Sequence, residues 1–168
     1  MTETFNELYR HELEVLLSAE RQMIRLLPAL AEGTDTAELQ RALRAQVHGC
    51  QTQADLLQRL LEQQGAALKV PVSRGIAALL GECSELLKTY PAGNLRDAVM
   101  IAHMQRAEHF KMAAYSTVAE YAKLLGDKDA AHDLLDAGKA VTLVNKMLSA
   151  IAIQVDAEAY VDTRLPGT

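Results

Sequence analysis

The chain has 168 residues, 49 % of them apolar and only 4 % aromatic, with a formal net charge of −5. That length fits one domain with a sizeable core, and apolar content made mostly of Leu and Ala favours helices over strands. Lys and Arg are scattered, so no basic stripe exists for nucleic acid, and no apolar run reaches the roughly 18 residues of a membrane span.

The opening Met1-Thr2-Glu3-Thr4-Phe5-Asn6 lacks the basic start and apolar core of a signal peptide. The two cysteines, Cys50 and Cys83, have no CxxC spacing and are too few for a disulfide framework. Both features point to the cytoplasm.

The first helix starts at Thr4, where Glu7 completes a capping box, and runs to Gly33; Pro28 is expected to bend its last turns. The second starts near Asp35, with Glu38 three residues on, and stops at Gly65. A crossover follows, and Ile76, Leu79, Leu80, Cys83, Leu86 and Leu87 give it a short amphipathic helix. The next long helix starts at Asn94, after Pro91-Ala92-Gly93, and stops at Gly126. The last begins around Asp127 to Asp129 and runs to about Gln154, and Pro166-Gly167 ends the tail. The spacing thus predicts a single domain over residues 1–168, with long helices at about 4–32, 36–64, 94–125 and 128–154 and a crossover at about 66–93. Two hairpins joined by one long crossover make an all-α, ferritin-like antiparallel four-helix bundle.

Each long helix has an apolar seam at alternating spacings of four and three. The first reads Tyr9, Leu13, Leu16, Glu20, Met23, Leu27, and the second Leu43, Val47, Cys50, Ala54, Leu57, Leu61. The third reads Ile101, Met104, Glu108, Lys111, Tyr115, and the fourth Leu134, Gly138, Val141, Asn145, Leu148, Ala152. The middle layer therefore collects Glu20, Cys50, Glu108, Lys111, Val141 and Asn145.

A carboxylate buried at mid-seam is costly unless a positive charge meets it. In ferritin-like bundles a pair of iron or manganese ions does so, held by one Glu from each of two helices and Glu-x-x-His from each of the others. Here Glu-x-x-His is absent. The second helix has no acid between Glu38 and Asp55, and the fourth has none between Asp136 and Asp156. Two carboxylates do not neutralise two divalent ions. Lys111, one turn from Glu108 on the same face, offers an ammonium instead. The expectation is a buried ion-pair cluster of Glu20, Glu108 and Lys111, with Tyr115 and Asn145 nearby. An ammonium paired with both carboxylates would hold carboxylate pKa values low, whereas an unpaired buried Glu would titrate high. Cys50 reads as a small core residue and His48 as a neighbour of the seam. Both are weaker metal candidates, Cys50 tilting a site toward zinc.

Several stretches resemble the YciE/YciF family of stress-associated, ferritin-like proteins. Ser18-Ala19-Glu20-Arg21-Gln22 is similar to its S/D-A-E-K-Q, and Leu27-Pro28-Ala29-Leu30-Ala31 to L-P-K-M-A. Gln105 to Thr117, Q-R-A-E-H-F-K-M-A-A-Y-S-T, is similar to Q-K-V-E-H-Y-E-I-A-A-Y-G-T. Ala122-Lys123-Leu124-Leu125-Gly126 is similar to A-E-Q-L-G. The resemblance implies a di-metal bundle, often a homodimer, with Glu20 and Glu108 on metal-binding acidic positions. The family's H-L-E-E-T is His48-Gly49-Cys50-Gln51-Thr52 here, the second Glu of E-H-Y-E is Lys111, and the acidic stretch of the last helix is Ala140 to Asn145. The departures fall where the metal chemistry would be.

These readings combine into a non-catalytic, stress-associated bundle with a degenerate di-metal site and no cofactor, acting through self-association or a protein partner. The alternative is a di-iron or manganese oxidoreductase or ferroxidase with a reduced ligand set, Glu20 and Glu108 helped by His48 or Cys50. The last helix is apolar on more than one face, which expects a second contact, either the crossover helix or another subunit; a homodimer is the favoured assembly.

Overall fold

The structure, a computed structural model, describes residues 4–65 and 70–164. Residues 66–69 of the crossover and the expected Pro166-Gly167 stop lie outside the described residues. The described residues form five helices and no strand: α1 (Phe5–Gly33), α2 (Ala37–Gln63), α3 (Arg74–Thr89), α4 (Asn94–Leu124) and α5 (Lys128–Arg164). α1 pairs with α2 and α4 with α5, and α1–α4 and α2–α5 contacts close the bundle.

Local chemistry sets the ends of the helices. The capping box at Thr4 forms: the Glu7 amide donates to Thr4 Oγ1 at 3.2 Å, and the Thr4 amide donates to Glu7 Oε2 at 2.7 Å. α1 continues through Pro28, so the expected bend does not interrupt the helix. Gly65 and Gly126 hold φ of 68° and 84°, the left-handed conformation that follows a helix end at little cost to glycine. α5 runs ten residues past its expected end at Gln154. Its later residues Val155 and Ala159 keep the inward spacing and are buried, so nothing in the pattern stops the helix there.

The start of α2 differs from the expected Asp35–Glu38 box. The N-cap is Thr36, and its side chain makes no cap bond. Instead Asp97, in the first turn of α4 and 1 % exposed, accepts from the Thr36 amide at 3.0 Å and from Thr36 Oγ1 at 2.7 Å. One carboxylate thus satisfies an orphan helix-start amide and ties the two hairpins together. Asp97→Ala should cost about 1–2 kcal/mol, because the half-buried Thr36 hydroxyl loses its carboxylate partner while the Thr36 amide keeps Thr34 Oγ1 at 3.1 Å. Thermal melting would read this as a Tm several degrees lower.

The crossover helix α3 packs on α4 and α1. Its entry is fixed where the Ser73 amide donates to Ser18 Oγ at 2.8 Å and Gln22 Nε2 donates to the Ser73 carbonyl at 3.2 Å. By returning along α4, the crossover lets α2 and α4 run parallel: Gln46 meets Glu108 and Gln53 meets Lys111, rising together along both helices. α3 therefore leaves the outer face of α5 uncovered. Leu143 and Ile153 there are 65 % and 77 % exposed. Among the described helices, α5 alone is long and apolar enough to cross a membrane by length and composition. Asn145, Lys146, Ser149 and Gln154 interrupt its apolar stretch, so it holds no continuous apolar run of about 18 residues. The inward seam and the outer face together supply the apolar content.

The seams fill two apolar clusters. One gathers Met23, Leu27, Leu39, Leu43, Met100, Met104, Leu148 and Ile151 with Ile76, Leu80 and Cys83 of α3. The other gathers Tyr9, Leu13, Leu16, Leu57, Leu61, Tyr115, Val118, Leu134 and Val141. Gly138 breaks the α5 seam because a Cβ there would lie 3.3 Å from Tyr115 Cβ. The α2 seam sits slightly off its expected line: Gln46 is buried and Val47 only half-buried.

Candidate functional site

A charged layer lies in mid-bundle. Mid-helix positions on α1 and α4 carry Glu20, Glu108 and Lys111, which are 0 %, 0 % and 1 % exposed. Lys111 Nζ lies 3.0 Å from Glu20 Oε2 and 3.6 Å from Glu108 Oε2. Tyr115, one turn further along α4, donates its hydroxyl proton to Glu20 Oε1 at 2.9 Å. The expected cluster is therefore assembled, with Tyr115 as a direct member.

α2 provides the rest, and most of that was missed in the sequence. Gln46 Nε2 donates to Glu108 Oε1 at 2.6 Å. Gln53 meets different partners in its two amide orientations. With oxygen toward Lys111 it accepts at 3.4 Å and donates to the Ala137 carbonyl at 3.3 Å. Turned over, it donates to Glu20 at 2.9 and 3.3 Å. Cys50 Sγ lies 3.7 Å from Lys111 Nζ. Gln46, Cys50 and Gln53 follow the i, i+4, i+7 spacing of one face. That spacing was available, but uncharged amides drew no attention.

Other expected neighbours lie elsewhere. His48 is exposed on the outside of α2, because the face carrying Cys50 turns it away. Asn145 does not join the cluster; its Nδ2 meets His109 Nε2 at 3.3 Å between α4 and α5. His103, on another face of α4, is 4 % exposed, with Nδ1 2.9 Å from the Val99 carbonyl and Nε2 2.9 Å from Arg106 Nη1.

Two carboxylates share one ammonium, and they share it unequally. Burial alone would pull Lys111 down, but the charges of Glu20 and then Glu108 outweigh it and hold the ammonium above the usual lysine range. Burial pushes Glu108 up to about 7, against the pull of Lys111 and with added repulsion from Glu20. Its Oε2 has no hydrogen-bond partner. The expectation that pairing would hold the carboxylates low therefore fails at Glu108: the ammonium sits nearer Glu20, and desolvation wins. Burial, then the Glu20 charge, raises Tyr115 well above the usual phenol range. Burial also raises Cys50, outweighing the nearby Lys111.

The donor set does not fit a pair of divalent ions. A metal pair needs several carboxylates or imidazoles converging on it. Here the ammonium stands between the two acids, α2 offers two amides and a thiol, and the α5 group in reach is the Ala137 carbonyl. Among the described residues, no three His, Cys, Asp or Glu side chains group to hold a metal. Beside the layer, a groove of about 720 Å³ between α2 and α5 has Gln53 on its lining.

The chain is 31 % identical over 130 residues to protein YciF of Escherichia coli K12, an overlap of 76 % of this chain and 78 % of that protein. The crystal structure of the E. coli stress protein YciF superposes with a TM-score of 0.86 at 27 % identity, covering 94 % of this chain and 99 % of that one. YcfI of Rhodopseudomonas palustris has the same fold, with a TM-score of 0.83 at 24 % identity, covering 88 % of this chain and 94 % of that one. Residues 4–159 match the family described as a domain of unknown function, DUF892, and the chain, an all-α ferritin-like bundle of the YciF type, belongs to that family.

Proposed function

We propose that the chain is a non-catalytic, stress-associated bundle whose fixed side-chain cation does the electrostatic work of the metal pair expected in its relatives. It acts through self-association or a protein partner in the cytoplasm. The observation behind this reading is the placement of Lys111 Nζ, 3.0 Å from Glu20 and 3.6 Å from Glu108. A third charge-bearing group, the ammonium, leaves no room for a cation between the acids and repels one electrostatically. The stress role comes from likeness to a protein called a stress protein.

The test is elemental analysis of protein purified from iron- and manganese-supplemented cells. The reading expects far less than one metal per chain. About two iron or manganese ions per chain would overturn it and favour a metal-dependent oxidoreductase or ferroxidase using Glu20 and Glu108.

A further inference from the structure

α3 packs on α4 and α1, which leaves the groove between α2 and α5 open. Small residues make it. Gly49 stands on the α2 wall and Ala137 and Ala140 on the α5 wall, with Leu56 adding apolar surface. A Cβ at Gly49 would meet nothing within 4 Å. The volume of about 720 Å³ falls in the range of sites that take one small molecule.

Gln53 gives this groove a polar point on its lining. It is 7 % exposed, and it separates the groove from the charged layer. With its amide oxygen toward Lys111, that oxygen also lies 2.9 and 3.3 Å from the two Glu20 oxygens. An ionised carboxylate only accepts, so this contact is repulsive. Turned over, Gln53 Nε2 donates to Glu20, and Oε1 comes to lie 3.3 Å from the Ala137 carbonyl oxygen. Two acceptors on the groove lining then share no donor. A primary ammonium, with three N–H donors and no acceptor, satisfies both.

The charge around the groove favours a cation over water in that role. Its lining carries Asp55, Asp133 and Asp136 against Arg59, three acids to one base. Arg59 pairs with Asp133 at 3.1 Å, and Lys139 pairs with Asp136 at 2.8 Å. Asp55 accepts from the Gln51 amide at 2.9 Å and, among the described residues, has no cation partner. The groove is therefore apolar along its walls and negative overall, the complement of an apolar chain that ends in an ammonium.

We propose that the α2–α5 groove binds a small amphipathic amine, its primary ammonium between Gln53 Oε1 and the Ala137 carbonyl and its apolar chain along Gly49, Leu56 and Ala140. Binding selects the amide orientation that serves Glu20, so Gln53 connects the groove to the charged layer. The site does not depend on how the chain associates.

Nuclear magnetic resonance titration of the full chain at pH 7 tests it, with n-octylammonium, n-octyltrimethylammonium and n-octanoate as probes. Octylammonium should saturate a single site with a Kd below about 1 mM and shift the Gln53 side-chain amide signals. Octyltrimethylammonium keeps the charge and chain but has no N–H; it should bind at least about 5-fold more weakly. Octanoate should not saturate. Gly49→Leu and, from the opposite wall, Ala140→Leu fill the groove at exposed positions. Each should weaken octylammonium about 10-fold or more and leave the circular-dichroism melt no lower. Asp55→Asn should weaken it about 2- to 5-fold, the scale of an exposed charge pair. Absence of saturable octylammonium binding would overturn the proposal. Octanoate binding as well as octylammonium would overturn the cation preference, and equal binding of the two ammonium probes would overturn the carbonyl anchor. Undiminished binding in both filled variants would overturn the groove as the site.

Discussion

Lys111→Met should destabilise the fold by about 3–5 kcal/mol, the usual cost of removing one partner of a buried ion pair. In a chain of this size that is a Tm lower by roughly 6–20 °C. The loss comes from what remains: Glu20 and Glu108 would stay in a dry layer with Tyr115 and Gln46 as donors and no positive charge. Adding Glu20→Gln and Glu108→Gln to Lys111→Met should recover most of the loss, since no net charge then stays buried. A loss below about 1 kcal/mol for Lys111→Met would mean that the ammonium behaves like a surface ion pair. Denaturant unfolding of the three proteins at pH 7 provides the comparison.

Glu108 should give the stability a slope opposite to that of most acidic residues. Its folded pKa of about 7 lies above its ordinary value of 4.5. Between those two values the folded chain binds more protons than the unfolded one. Stability therefore falls as pH rises through that window and flattens above it. Below pH 4.5 this contribution is fully present; above about 7 it is gone. The effect is on the order of 3 kcal/mol from the size of the shift. Glu108→Gln removes the ionisation and keeps an oxygen for Gln46, so it should abolish this part of the slope. At pH 8 the variant should be the more stable protein, and near pH 4 it should match the parent. Unfolding free energies at several pH values check this, and equal slopes in parent and variant would count against it.

The charged core was legible in the sequence because a carboxylate or ammonium at mid-seam has no bland explanation. Glu20, Glu108 and Lys111 stood out against Leu, Met and Tyr on the same lines, and all three are buried. Gln46 and Gln53 did not stand out. The α2 line was set through Val47, an apolar choice, yet the face of Gln46, Cys50 and Gln53 is the one that turns inward. The same shift explains why His48 was drawn toward the site while the structure leaves it exposed. Asn145 was placed by seam position, but its own helix turns it to the α4–α5 boundary, where His109 is the nearer partner. Helix order and hairpin pairing followed from short links and a single crossover. Which neighbours the crossover helix chose did not, because its apolar residues fit α4, α1 or α5 alike. Its choice depended on tertiary detail at Ser18, Gln22 and Ser73.

Cys50 and Cys83 are 1 % and 0 % exposed, and burial raises both thiols, Cys83 to about 11. Alkylating reagents attack the thiolate, so the folded chain resists them twice over, by access and by ionisation. Cys50 faces the charged layer and Cys83 sits on the buried face of the crossover helix α3 itself. The protein thus contains its own pair of chemical clocks: modification of Cys83 alone times the lifting of α3, and modification of Cys50 times the parting of the bundle itself.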